Sequence, residues 1–217
     1  MAIFSRKRLI RRVNKVTELV RFYYIRRVSG MPPPEETPYF DAEGLEAFKN
    51  EVALASSYLE FGSGGSTVFV DRTGLPCVSV ESDAMYAKAV QSQLRGGSVR
   101  IICPNIGLVG PWGRPVFRNY AKWRRYIEAP FPLDPFPDFV LVDGRFRVAC
   151  ALETAKQAHA RGVISTLMFD DYAKRTYYHS VEEYFGKPCF AGRAAIFKVG
   201  RISIPQSAIE LSARDPR

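Results

Sequence analysis

Three carboxylates stand where short apolar runs end: Asp143 closes FVLVD, and Asp170-Asp171 follow TLMF. Gathered at one rim of a partly buried cleft, they would repel one another. A divalent cation with oxygen ligands resolves that repulsion. Such an ion also holds substrate oxygens and lowers the pKa of a bound hydroxyl, while a carboxylate takes the proton. Asp143, Asp170 and Asp171 are therefore candidate metal ligands, with Mg2+ a suitable ion, and Asp143 is also a candidate base. The alternative is that Asp143 faces only a cofactor and that Asp170 or Asp171 caps the next helix. Arg145, Arg147, Arg175 and His179 follow these acids closely. Arg175 and His179 have the i, i+4 spacing of one helix face. They are candidate catalytic groups or, alternatively, ion-pair partners of the same acids. Arg145, Trp112 and Tyr172 are candidate substrate contacts.

A second constellation lies earlier in the chain. Tyr58–Thr67 reads YLEFGSGGST: an apolar run, then glycines, then a helix-forming stretch. Glycines let the chain turn sharply and let a ligand approach the backbone. Gly62, Ser63, Gly64 and Ser66 are expected around that ligand. Glu81 ends the run CVSV, 21 residues after Glu60. An acid about 20 residues on accepts hydrogen bonds from ribose hydroxyls; the alternative is a solvated acid at a strand end. Ser82 adjoins it, and Asp83 reads as a helix cap. Dinucleotide sites show G-x-G-x-x-G, but the sixth position here is Thr67. Glu60 would also repel a pyrophosphate. An acid there suits a cationic ligand, such as the amino group and sulfonium of S-adenosylmethionine. An NAD-dependent oxidoreductase is the competing reading.

These residues need a frame. Strands are expected at 57–61, 77–80, 99–103, 138–142 and 163–169, with helices at 66–72, 83–94, 146–160 and 176–185 between and after them. A hairpin around Gly192-Arg193 closes the pattern, and the tail after Gly200 reads as extended or frayed. Alternation at this spacing implies a mostly parallel sheet covered on both faces, whose ligands bind beyond the carboxyl ends of the strands. Residues 104–137 form a proline- and aromatic-rich excursion of the length of a binding loop. Phe117 and Tyr126 are expected to pack beneath it.

The charge is uneven. Residues 1–30 hold nine Lys/Arg and one acid, or +8 of the overall +9. A basic amphipathic helix over 5–28, with Leu9, Val13, Val16, Val20 and Tyr23 or Tyr24 on one stripe, is followed by a proline linker at 31–40. A second helix spans 41–55, capped by Asp41, with Leu45, Phe48, Val52 and Leu54 largely on one side. The arm can dock on its own domain, join a homodimer, lie on an anionic membrane or, less expectedly, bind nucleic-acid phosphates. The domains are thus the arm at 1–30, the linker, a catalytic-type domain at 41–200 and a tail at 201–217. No apolar run reaches the roughly 20 residues of a bilayer span. Of the four cysteines, three read as core residues, and the expected compartment is the cytoplasm.

E-F-G-S-G-G-S followed by V-S-V-E-S-D resembles the first two motifs of class I S-adenosylmethionine-dependent methyltransferases over residues 40–199. The resemblance implies an α/β, Rossmann-like three-layer sandwich: a seven-stranded sheet with a C-terminal antiparallel hairpin, preceded by N-terminal helices. It implies that Glu60, Gly62, Ser63 and Gly64 surround the methionine part and that Glu81 holds the ribose. The third motif departs from the family, with Cys103-Pro104-Asn105 where an acidic or polar residue meets adenine; Asn105 is the residue assigned there. The D-G…D-D-Y pattern resembles the metal-dependent O-methyltransferases of the macrocin and catechol types. It implies methylation of a small molecule or glycan, with Asp143, Asp170 and Asp171 as metal ligands. The other reading is a non-catalytic binding or scaffold module acting through its basic arm.

Overall fold

The computed structural model describes residues 2–131 and 133–217, with side chains from residue 16 onward in the first helix. The strands are β1 (Tyr58–Phe61), β2 (Cys77–Val80), β3 (Val99–Ile102), β4 (Phe139–Val142), β5 (Ser165–Phe169), β6 (Cys189–Ala191) and β7 (Ala194–Val199). They form one sheet in the order β3-β2-β1-β4-β5-β7-β6. The first five run parallel, and β7 is antiparallel to both β5 and β6. The expected seven-stranded, Rossmann-like sandwich is the fold observed. Every residue of β1, β4 and β5 is buried, as a strand covered on both faces requires.

The helices are α1 (Ala2–Ser29), α2 (Ala42–Leu54), α3 (Gly65–Thr73), α4 (Ala84–Gln91), α5 (Tyr120–Glu128), α6 (Arg147–Ala160), α7 (Glu182–Phe185) and α8 (Gln206–Ser212). On one face of the sheet, Phe48 and Val52 of α2 and Val70 of α3 pack with Tyr58, Phe139, Leu141 and Met168. On the other, α5, α6 and α8 cover Leu59, Phe61, Val140, Val142, Leu167 and Phe169. Residues alternate across a strand, so Glu60 shares the α2–α3 face with Tyr58. The Asp41 carboxylate caps α2 by accepting from the Gly44 N–H (3.0 Å) and also accepts from the Arg193 N–H (2.7 Å). The β6–β7 turn is thereby tied to the start of α2.

Several elements depart from expectation for local reasons. The residues after Gly200 form α8, because Ile204, Ile209 and Ala213 give them an apolar face to bury against α6. Helix α4 stops at Gln91 rather than Leu94. Just beyond it the Asp71 carboxylate accepts from the N–H groups of Arg95 and Gly96 (2.6 and 2.7 Å), drawing the chain toward α3. The 176–185 segment begins as a 3-10 helix over Thr176–Val181. Leu54 and Phe117 are exposed rather than packed, while Tyr126 is buried. Two cysteines, Cys77 and Cys150, are buried, not three.

The basic arm is docked on its own domain. Arg26 of α1 pairs with Asp83, both side chains largely buried. The Tyr23 hydroxyl donates to the carbonyl of Val109 (2.5 Å), and Leu19 lies against Gly110. Val16, Val20, Tyr24 and Val28 are on the exposed side; Leu9 and Val13 fall outside the described side chains. No helix among the described residues is long and apolar enough to cross a membrane. Removing one member of a largely buried pair leaves the other charge uncompensated, at about 3 kcal/mol. Arg26→Ala is expected to lower the melting temperature and to speed proteolysis between residues 20 and 30. Unchanged proteolysis would show that the pair does not hold the arm.

Candidate functional site

The parallel strands end level. Phe61 is in register with Val80 on one side and Val142 on the other, and Val142 with Phe169. The residues that follow, Gly62, Glu81, Asp143 and Asp170, therefore stand side by side along the carboxyl edge. The sheet order reverses between β1 and β4, where ligands of such folds bind.

The three glycines of the turn do different work. Gly62 has φ +104°, and a Cβ on it would lie 2.7 Å from the Gly144 backbone, so the β1 and β4 loops touch. A Cβ on Gly65 would strike the Thr37 carbonyl at 2.3 Å, where the proline linker crosses. Gly64 alone of the three faces open space: its Cβ would meet only the Tyr86 hydroxyl, at 3.6 Å. A ligand has backbone access there.

Glu60 lies beneath the turn rather than on its open side. It is fully buried. Its carboxylate accepts from the hydroxyls of Tyr58 (3.0 Å), Ser66 (2.7 Å) and Thr67. Burial pushes this carboxyl up, and the hydroxyls of Thr67, Ser79, Ser66 and Tyr58 pull it back. Ser66 is thus engaged internally, and Ser63 shares a 2.6 Å hydrogen bond with Ser79. Glu60, the acid expected to meet a cationic ligand, anchors the turn through these hydroxyls, because an acid inside a doubly covered strand must find donors.

Glu81 is also nearly buried, but at the rim. Its Oε1 accepts from the N–H groups of Ser82 (2.6 Å) and Asp83 (2.8 Å) and from the Ser82 hydroxyl (3.1 Å). Among the described residues, its Oε2 accepts only from the Ser63 N–H, at 3.2 Å, which leaves it a lone pair for a ligand hydroxyl. Burial raises this carboxyl, and those donors lower it. The Val109–Arg114 loop lies directly over this corner: a Cβ on Gly113 would stand 2.1 Å from Ser82 Oγ. Trp112 in that loop has φ 61° and is exposed. Asn105 is exposed and accepts from the Gly107 N–H (3.0 Å), shaping its own turn. Tyr86 was missed by the sequence reading. Burial raises its hydroxyl's pKa, as do the charges of Glu81, Glu60 and Asp143, which places it among the three acids. Its one sequence signal is its position three residues after the cap Asp83.

Asp143, Asp170 and Asp171 do converge, each offering one oxygen within 4.8 Å of the others. They converge on guanidinium groups. Arg147 bonds Asp143 (2.8 Å) and lies 3.6 Å from Asp171. Arg193 grips both oxygens of Asp170 (2.9 and 3.0 Å), and Arg175 pairs with Asp171 (2.6 Å). Three positive charges face three negative ones. The donor set as placed does not fit a divalent ion, whose ligand oxygens would first have to leave these arginines. Burial pushes the Asp143 carboxyl up, to about 7, against the pull of Arg147 and with the push of Asp170 and Asp171.

The other candidates separate. Arg145 is half-buried beside Asp143 and has no salt bridge among the described residues; burial and the neighbouring Arg147 lower its pKa. Tyr172 is buried in the core, its hydroxyl donating to Glu182 (3.1 Å), so it is turned away from the rim. His179 stacks on Tyr172, with Nε2 3.3 Å from that residue's carbonyl. Arg175 is the N-cap of the 3-10 helix, where i and i+3 eclipse, so Arg175 and His179 do not share a face. Arg193 was missed, since a hairpin arginine carries no motif. A cavity of about 210 Å³ lined by Tyr184, Lys198 and Ile202 adjoins the end of β7, opposite the rim.

Comparison with known proteins finds the same fold. A methyltransferase-like protein from Silicibacter pomeroyi DSS-3 is 37% identical, with a TM-score of 0.71 over 85% of this chain and 99% of that one. An O-methyltransferase from Bacillus cereus, solved with SAH, shares the fold at 13% identity, with a TM-score of 0.51 over 84% and 90% of the two chains. A cofactor-bound protein from MTB does so at 14% identity and the same TM-score, over 84% and 97%. No protein-family model and no curated protein matches the chain.

Glu60→Ala strips a shared acceptor from buried hydroxyls, each costing about 1–3 kcal/mol when unsatisfied. The variant is expected to lose several kcal/mol in denaturant melts, and Glu60→Gln less. An Ala variant as stable as the parent would contradict the anchoring role.

Proposed function

We propose, on the premise that this chain belongs to the methyltransferase-like family, that it transfers a methyl group from S-adenosylmethionine to an oxygen of a small molecule or glycan. The observation that carries this reading is the level placement of Gly62–Gly64, Glu81 and Asp143 on three adjacent strands. The cradle fits such a cofactor: Gly64 gives open backbone, Tyr86 borders it, and Glu81 Oε2 would accept from a ribose hydroxyl. Asn105 and the Val109–Arg114 loop would meet the adenine. When bound, S-adenosylmethionine supplies an electrophilic methyl group. The chain's own residues hold the acceptor and move its proton. Asp143 accepts the proton of the acceptor hydroxyl, and Arg147 fixes the orientation of that carboxylate. Arg145 binds an acidic group on the acceptor, with Trp112 as a further contact. His179 and Arg175 act at a remove, through Tyr172 and Asp171. The proposed setting is the cytoplasm.

A second reading is favoured by one observation: Val16, Val20, Tyr24 and Val28 leave an apolar strip on α1 exposed, in a basic helix. That strip suits a second copy of the chain or an anionic membrane surface, and the arm would then serve a scaffold role alongside the site or in place of it.

Calorimetric titration with S-adenosylhomocysteine tests the first reading. One-site binding is expected, weakened about tenfold by Glu81→Gln; no binding would overturn it. The pH profile tests Asp143. Its raised pKa keeps it protonated below about 7, so turnover should rise as pH increases through 7 and level off above. Asp143→Asn should remove that rise and cost about 10²–10⁴ in kcat. A profile unchanged in the variant would exclude Asp143 as the base.

A further inference from the structure

Three carboxylates at the end of a parallel sheet form the acidic half of a cation site. Here the other half is already supplied by side chains that are themselves fixed. Arg147 is 4% exposed. It donates to the carbonyls of Gly144 (3.2 Å) and Asp170 (2.8 Å) as well as to Asp143. Phe146 before it is buried with φ 55°, a costly conformation for a bulky residue, which sets where α6 and Arg147 begin. Arg193 is anchored from its backbone, whose N–H donates to Asp41. Its guanidinium donates to the Tyr39 carbonyl, lies 5.2 Å from the Tyr39 ring centroid, and grips Asp170 with two bonds. Gly192 beside it has φ 58°, and a Cβ there would overlap the Asp41 carboxylate. These arginines are built into the rim from α6 and from the β6–β7 turn.

We propose that Arg147, Arg175 and Arg193 take the place of a divalent cation at this rim, and that Arg193 is the positioning residue that closes the clamp on Asp170 and Asp171. Mg2+ demands near-octahedral oxygen ligation at short range. Supplying it here would strip Asp170 of both its bonds to Arg193 and take from the buried Arg147 its bond to Asp143. The cost falls on the ion, so the acids stay with the arginines. A chelating pair of acceptor oxygens then has no metal to bind. The acceptor is recognised by N–H donors instead. Arg145, beside Asp143 and without a salt bridge among the described residues, is the guanidinium left to pair with an acidic group on the acceptor. This part rests on the methyl-transfer reading; the clamp itself does not.

Electron paramagnetic resonance of Mn2+, titrated with the full-length protein, tests the clamp without reference to catalysis. The wild-type protein is expected to leave the free Mn2+ signal no lower than Asp170→Asn does. Arg193→Ala, which uncovers Asp170 and Asp171, is expected to bind Mn2+ at least about tenfold more tightly than wild type. Wild-type protein that removes an equivalent of Mn2+, and loses that capacity on Asp170→Asn, overturns the proposal whatever Arg193→Ala does. S-adenosylhomocysteine binding by the same preparation separates the two readings: its absence contradicts methyl transfer and leaves the Mn2+ result standing.

Discussion

A carboxylate carried into or to the end of a covered strand must be met by hydrogen-bond donors, and four adjacent strands here carry one. Their common register puts Glu81, Asp143 and Asp170 at one level, with Glu60 two residues below inside β1. Each acid is answered by the donors its neighbourhood holds. Hydroxyls from the glycine turn close on Glu60, backbone amides at the start of α4 close on Glu81, and guanidinium groups close on Asp143 and Asp170. The turn, the helix starts and the hairpin are held where they are by these answers. What remains unanswered defines the site: the open face of Gly64, one lone pair on Glu81 and the partly exposed side of Asp143.

Much of this was legible in the sequence. The alternation of apolar runs and helical stretches gives the sheet, and the spacing from Glu60 to Glu81 gives adjacent strand ends. Less legible was which acid faces a ligand. Glu60 and Glu81 look equivalent as letters, but Glu60 lies inside β1, level with Ser79, while Glu81 follows β2 two residues further along, and that offset separates anchor from rim. The convergence of Asp143, Asp170 and Asp171 was read correctly, and Arg147 and Arg175 were among the ion-pair partners weighed for them; Arg193 was not. Arg193 lies more than twenty residues beyond Asp170 and reaches it only because β7 returns antiparallel beside β5. Tyr172 belongs to the motif D-D-Y but points into the core, since a tyrosine beside a buried strand end gains more from packing than from solvent. Helix α8 was missed because seven residues show too little periodicity to outweigh a polar tail.

Among the described residues, three other than glycine take positive φ: Trp112, Phe146 and Asp171. All three lie in loops around the same rim: one over Glu81, one between Asp143 and Arg147, one in the D-D-Y turn. Such conformations cost free energy and persist where the surroundings enforce them. Helix α1 adds to the enforcement. Its contacts to Asp83, Val109 and Gly110 hold the excursion against the strand end. The basic arm is therefore a structural part of the site's roof as well as a charged surface, and its exposed apolar strip is a separate feature of the same helix.

In the proposed complex the ligand lies on Gly64 between Tyr86, Glu81 and Asp143, with Glu60 beneath and the arginines still on their acids. A crystal structure of the S-adenosylhomocysteine complex tests it most directly. Ribose hydroxyls are expected on Glu81, the nucleoside under the Val109–Arg114 loop, the sulfur on the Asp143 side, and Arg193 on Asp170. A ligand bound elsewhere, or Glu60 withdrawn from the Ser66 and Thr67 hydroxyls to contact it, would contradict it.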